Sequence, residues 1–85
     1  MTEENRKIAV IGIAVNSRED AAKKVNEILS QFGNIIVGRM GIPCKDREVS
    51  VISLIVDGNN DEIGALTGKL GNLKGIKVKV GLSFW

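Results

Sequence analysis

The sequence predicts an α+β fold, a two-layer sandwich in which four strands and two helices follow the order βαββαβ. Three observations carry this expectation. Val49–Val56, Val-Ser-Val-Ile-Ser-Leu-Ile-Val, is an apolar, largely β-branched run of strand length that stops at Asp57-Gly58. Sliding the chain by 41 positions lays Ile8–Val15 on that run, and the register persists through Asn16 on Asp57, Ala22 on Ile63, Val25 on Leu66, Leu29 on Leu70, Ile35 on Ile76 and Val37 on Val78. Between the strand-like runs, apolar residues recur at helical spacing. The chain therefore reads as two copies of one strand–helix–strand unit.

Ile8–Val15 is a continuous apolar strand broken only by Gly12. It runs into Asn16-Ser17-Arg18-Glu19-Asp20, where Ser17 and Asp20 are expected to cap a helix with acids in its first turn. The helix shows an apolar stripe of Ala22, Val25, Leu29 and Phe32, and Gly33-Asn34 is expected to end it in a left-handed turn. Ile35–Met40 reads as the second strand, and Gly41–Glu48, which contains Pro43, as the connection between the repeats. After the third strand, Asp57-Gly58-Asn59-Asn60-Asp61 turns into a second helix with the stripe Ile63, Leu66, Leu70 and Leu73. Ile76-Lys77-Val78-Lys79-Val80 alternates as a fourth strand with one wet face. Right-handed crossovers in each half then give an antiparallel sheet of order 4-1-3-2 with both helices on one face.

Residues 1–85 are long enough for one domain, and a chain of this size buries only about 60–65% of its unfolded surface, so a partner would add stability. Twelve basic against ten acidic residues give a net charge of +2, scattered along the chain, which does not form a nucleic-acid footprint. Cys44 is the only cysteine, so no internal disulfide or paired-thiolate metal site is expected, and a reducing cytoplasm fits best. The N-terminal residues are polar and the longest apolar runs are strand-length, so neither a signal peptide nor a membrane span is expected.

The central strands carry a second message. Ile11, Ile13, Val15, Ile52, Leu54 and Val56 share one face and suit the side beneath the helices. The opposite face carries Ile8, Val10, Gly12 and Ala14 beside Val49, Val51, Ser53 and Ile55, which is apolar where a lone two-layer domain would be polar. These eight residues are the expected interface of a homodimer or homotetramer, with the small Gly12, Ala14 and Ser53 allowing close approach. Gly64, Gly68 and Gly71 align on the second helix away from its apolar stripe, and Leu82-Ser83-Phe84-Trp85 is either an anchor on a partner or a frayed end.

Catalytic chemistry is sparse. With no His and no Tyr, the usual general base and metal nitrogen are missing. Glu19-Asp20 and Asp61-Glu62 sit at expected helix starts and read as dipole partners. Asp57–Asp61 lacks the ligand ladder of a calcium loop, and no aromatic residue lies on a central strand to stack bases. No catalytic residue, metal site or cofactor is therefore assigned. An enzyme would need Arg39 to converge with Asn16 or Asp57 in one pocket.

Ile36-Val37-Gly38-Arg39-Met40-Gly41-Ile42-Pro43, the first turn Val15-Asn16-Ser17-Arg18, and Val51–Gly58 followed by the glycine-rich Asp61–Gly71 resemble the iron-only hydrogenase system regulators, over nearly the whole chain. The resemblance implies an ACT-like, ferredoxin-like fold, akin also to the ligand-binding domain of nickel-responsive repressors, and a regulatory role. It further implies assembly as dimers or tetramers with a small effector held between subunits near the first strand–helix turn. Carried onto this chain, that turn is Asn16, Ser17 and Arg18, whose backbone N–H groups at a helix start suit a carboxylate. The repressors' nickel site uses His and is not inherited here. The expectation is a non-enzymatic, cytoplasmic regulatory homo-oligomer with a small effector or a protein partner, and no direct contact with nucleic acid or membrane. A structural adaptor without ligand is the alternative.

Overall fold

The structure, a computed structural model, describes residues 6–16 and 20–84, apart from the Leu82 side chain. Strands β1 (Lys7–Asn16), β2 (Ile36–Cys44), β3 (Val49–Gly58) and β4 (Ile76–Phe84) alternate with helices α1 (Ala22–Gln31) and α2 (Asn60–Gly71), and a 3-10 turn at Lys45–Arg47 joins β2 to β3. The sheet is antiparallel with order β2-β3-β1-β4, the expected order read from its other edge. The fold is α+β with βαββαβ topology.

Alternation along the two central strands decides where the core sits. Ala9, Ile11, Ile13 and Val15 of β1 and Leu54 and Val56 of β3 are buried against Val25, Ile28 and Leu29 of α1 and Leu66 and Leu70 of α2. Ile11 pairs with Leu54 across the ladder, so one stripe of branched side chains runs beneath both helices. Ile52, Ile63, Phe32 and Leu73 pack at the margins of this core.

Several local expectations are corrected. α1 starts with Ala21 at its cap position, where no side chain closes the first turn; Asp20 lies one residue earlier, and Ser17 and Glu19 fall outside the described residues. The buried Ala21 methyl sets this start, because turning it inward leaves Ala22 exposed and brings Ile28 into the core. Gly33 does not adopt a left-handed turn; Phe32 ends the helix with its N–H on Leu29 O, and the described residues with positive φ are Glu48 (54°) and Gly75 (81°). β2 continues through Pro43 to Cys44 rather than ending at Met40, with Ile42 opposite Val51 and Pro43 opposite Ser50. An edge strand tolerates a proline, which has no N–H to give to a ladder. β4 likewise continues to Phe84, which pairs with Ile8, so this segment is strand rather than a frayed end; Trp85 lies outside the described residues.

α2 follows its expectation closely. Asn59 accepts from Glu62 N–H at 2.7 Å while the Glu62 carboxylate accepts from Asn59 N–H at 3.0 Å, a reciprocal capping box. Gly64, Gly68 and Gly71 face open space in the single chain, since a Cβ at any of them would meet nothing within 4 Å.

Candidate functional site

The sheet face away from the helices carries a broad apolar surface among the described residues. Ile8, Val10, Gly12 and Ala14 of β1 and Val49, Val51, Ser53 and Ile55 of β3 lie on it, in the pairs Val10–Ile55, Gly12–Ser53, Ala14–Val51 and Ile8–Asp57. The flanking strands extend it. Met40 pairs with Ser53 and Ile42 with Val51, while Phe84 pairs with Ile8. Because directly opposed residues share a face, these three join the same surface. Met40, Ile42, Val51, Ile55 and Phe84 remain between 41% and 62% exposed and form a contiguous apolar layer.

Sequence reasoning missed Ile42 and Phe84 because β2 and β4 run past their expected ends, and Met40, inside the expected second strand, because only its register with Ser53 places it on this face. It also missed the charged margin. Lys77 is opposite Ala14 and Lys79 opposite Gly12, so the lysines of β4 border the apolar layer.

Two cavities open at the end of the molecule where β1 finishes. The first, of about 540 Å³, lies on the open face; Ala14, Val49, Val51 and Ile76 give it an apolar floor, and Asn16, Cys44, Arg47 and Lys77 supply its polar groups. The second, of about 350 Å³, lies between the start of α1 and β2, lined among others by Asn16, Asn26, Arg39, Pro43 and Ser50. Arg39 Nη2 donates to Asn26 Oδ1 at 3.0 Å across it, tying the edge strand to the helix.

Asn16 borders both cavities, and its backbone N–H donates to Gly75 O at 2.8 Å, which fixes the end of β1 against the start of β4. Of the three turn residues singled out in the sequence, Ser17 and Arg18 lie outside the described residues. Arg39 and Asn16 do share the second cavity, but Asp57 is at the opposite end, where Arg6 Nε donates to Asp57 Oδ1 at 3.2 Å and Arg6 Nη2 to Asp57 O at 2.9 Å. No carboxylate, imidazole or thiol lines the second cavity among the described residues, so it holds no acid–base pair. No group of His, Cys, Asp and Glu among the described residues is placed to hold a metal ion.

The comparisons with known proteins bear on this geometry. The family model "TM1266-like: Iron-only hydrogenase system regulator, putative" matches residues 7–80, from the first residue of β1 well into β4. The chain belongs to this TM1266-like family. A solved relative within it is the uncharacterized protein TM1266 from Thermotoga maritima, 38% identical, with a TM-score of 0.86 over 89% of this chain and 95% of that one. The apo form of CPII from Thiomonas intermedia K12, a nitrogen regulatory PII-like protein, aligns over 92% of this chain and 89% of that one with a TM-score of 0.58. At 11% identity this second likeness extends the shared architecture beyond the TM1266-like family as fold alone. The comparison with curated proteins gives no match.

Proposed function

We propose that this TM1266-like protein is a non-enzymatic regulatory module of the iron-only hydrogenase system, working as a homo-oligomer joined through its open sheet face. The exposed apolar layer carries this reading. Four strands spaced about 4.8 Å apart and about ten residues rising 3.3 Å each give a face of roughly 600 Å², comparable to the ~800 Å² each partner contributes to a standard interface. Burying each Val or Ile contributes about 1.5–3 kcal/mol, enough in sum to offset an association cost of about 4–15 kcal/mol. A homodimer is the simplest assembly of two such faces, and a homotetramer follows if a second surface is used. In the same reading a small effector sits beside Asn16, Ser17 and Arg18 at the seam.

The compartment that goes with this role is the cytoplasm, in keeping with the lone Cys44. No helix among the described residues is long and apolar enough to cross a membrane.

Sedimentation velocity at micromolar concentration tests the reading directly. A dimer or larger species is expected, and a monomer at every concentration overturns it. The second reading, a structural adaptor that binds protein without ligand, draws on the same apolar layer. A thermal-shift screen with amino acids and small anions separates the two, since an effector at 100 times its Kd raises stability by about 2.7 kcal/mol and an adaptor shows no such shift.

A further inference from the structure

We propose that the 540 Å³ cavity at the Asn16 end of the open face binds a small organic carboxylate, with Arg47 and Lys77 taking the anion and Ala14, Val49 and Val51 its apolar part. This deepens the effector-sensing reading and rests on it.

Charge decides the sign of the ligand. Among the described residues, Arg47 and Lys77 both line the cavity and no carboxylate does. Among the described residues neither cation is paired with an acid. Asp46 and Glu48 flank Arg47 in the chain but do not line the cavity. Lys77 also lies on the face that self-association would cover, opposite Ala14. Covering an ammonium and a guanidinium without a counter-charge is expensive, and a carboxylate between them removes that penalty. The planar guanidinium of Arg47 offers two parallel N–H donors to such an anion.

Shape decides the rest. The volume falls in the range of about 300–1,000 Å³ typical of organic ligands, far larger than an inorganic ion needs. The floor is aliphatic, so an apolar group gains burial there that phosphate or sulfate cannot. Two features hold the walls in place. The Asn16–Gly75 backbone bond locks β1 to β4, and Glu48, left-handed at φ 54°, turns the chain from Arg47 straight into β3.

Calorimetric titration of the full chain at low salt, with acetate, 3-methylbutanoate and phenylacetate as probes and phenylacetamide and inorganic phosphate as controls, tests the proposal. Saturable binding of 3-methylbutanoate or phenylacetate is expected, with phenylacetamide, acetate and phosphate each at least about tenfold weaker. Arg47→Ala and Lys77→Ala each weaken it by about tenfold or more, and Lys24→Ala on the exposed side of α1 leaves it unchanged. Equal affinity for phenylacetamide, tighter binding of phosphate, indifference to both substitutions, or no saturable heat from any carboxylate up to about 10 mM overturns the proposal. Sedimentation of the same samples keeps two failures apart. A dimer that binds no carboxylate overturns this inference alone, and a monomer that binds one overturns the oligomer reading alone.

Discussion

Asn59 and Glu62 show how much a short stretch of sequence settles at the level of single residues. Each side chain satisfies the other's backbone N–H, so two of the orphan donors at the start of α2 are closed without help from the rest of the fold. Asn59→Ala is expected to lower stability by about 1 kcal/mol in urea denaturation, with an unchanged m-value. Gly58, just before the box, is constrained by space. A Cβ there would stand 3.2 Å from Glu62 Oε1 and 3.3 Å from Ile35 Cγ2, and Ile35 is itself buried. Gly58→Ala is therefore expected to destabilise by about 1 kcal/mol, because the added methyl presses the Glu62 carboxylate off its capping bond to Asn59 N–H and crowds the buried Ile35. A rise in the denaturation midpoint would contradict this. By contrast, the Arg6–Asp57 pair is more than a third exposed on both sides, and little stability rests on it.

Among the elements, α2 and β2 depart most from ordinary composition. α2 presents Gly64, Gly68 and Gly71 to open space, and glycine costs about 1 kcal/mol per helix position relative to alanine. Gly68→Ala is expected to raise the Tm, by an amount corresponding to up to about 1 kcal/mol, without altering sedimentation. A loss of association in that variant would instead show the glycine stripe seated against a partner. The second helix is also tied to the first, since Lys69 Nζ donates to Gln31 Oε1 at 3.0 Å and sits 5.5 Å from the centre of the Phe32 ring. β2 reaches Cys44 because it hangs on β3 as an edge, where pairing continues past Pro43 on one side only. Pro and Gly in Gly41-Ile42-Pro43 resemble a loop in the sequence, and only the neighbouring strand reveals them as sheet.

The open sheet face belongs to the whole molecule, because no single strand defines it. If it is the seam between copies, Tm depends on protein concentration, and a tenfold dilution lowers it measurably. Ile55→Asp places a charge at the centre of the face, where Ile55 is already 44% exposed in one chain. The variant is expected to sediment as a monomer with an unchanged far-UV circular dichroism spectrum and a Tm independent of concentration. A variant that still sediments like the wild type would place the seam elsewhere. The TM1266-like family and the PII-like structure share this layered architecture, which accommodates different sites on one scaffold.

The sequence by itself determined the architecture. An internal repeat of offset 41, two continuous β-branched runs and two helical stripes leave few ways to bury every apolar residue, and one of them is the observed order. It also determined which residues of the central strands form an apolar face away from the helices, since alternation along β1 and β3 is a local property. Tertiary structure alone decided the rest. Met40, Ile42 and Phe84 join the open layer only through pairing registers with Ser53, Val51 and Ile8. Arg47 and Lys77, thirty positions apart in the chain, border one cavity only because β3 and β4 flank β1 on either side. Charge convergence of that kind depends on long-range strand pairing, and no local pattern of residues encodes it.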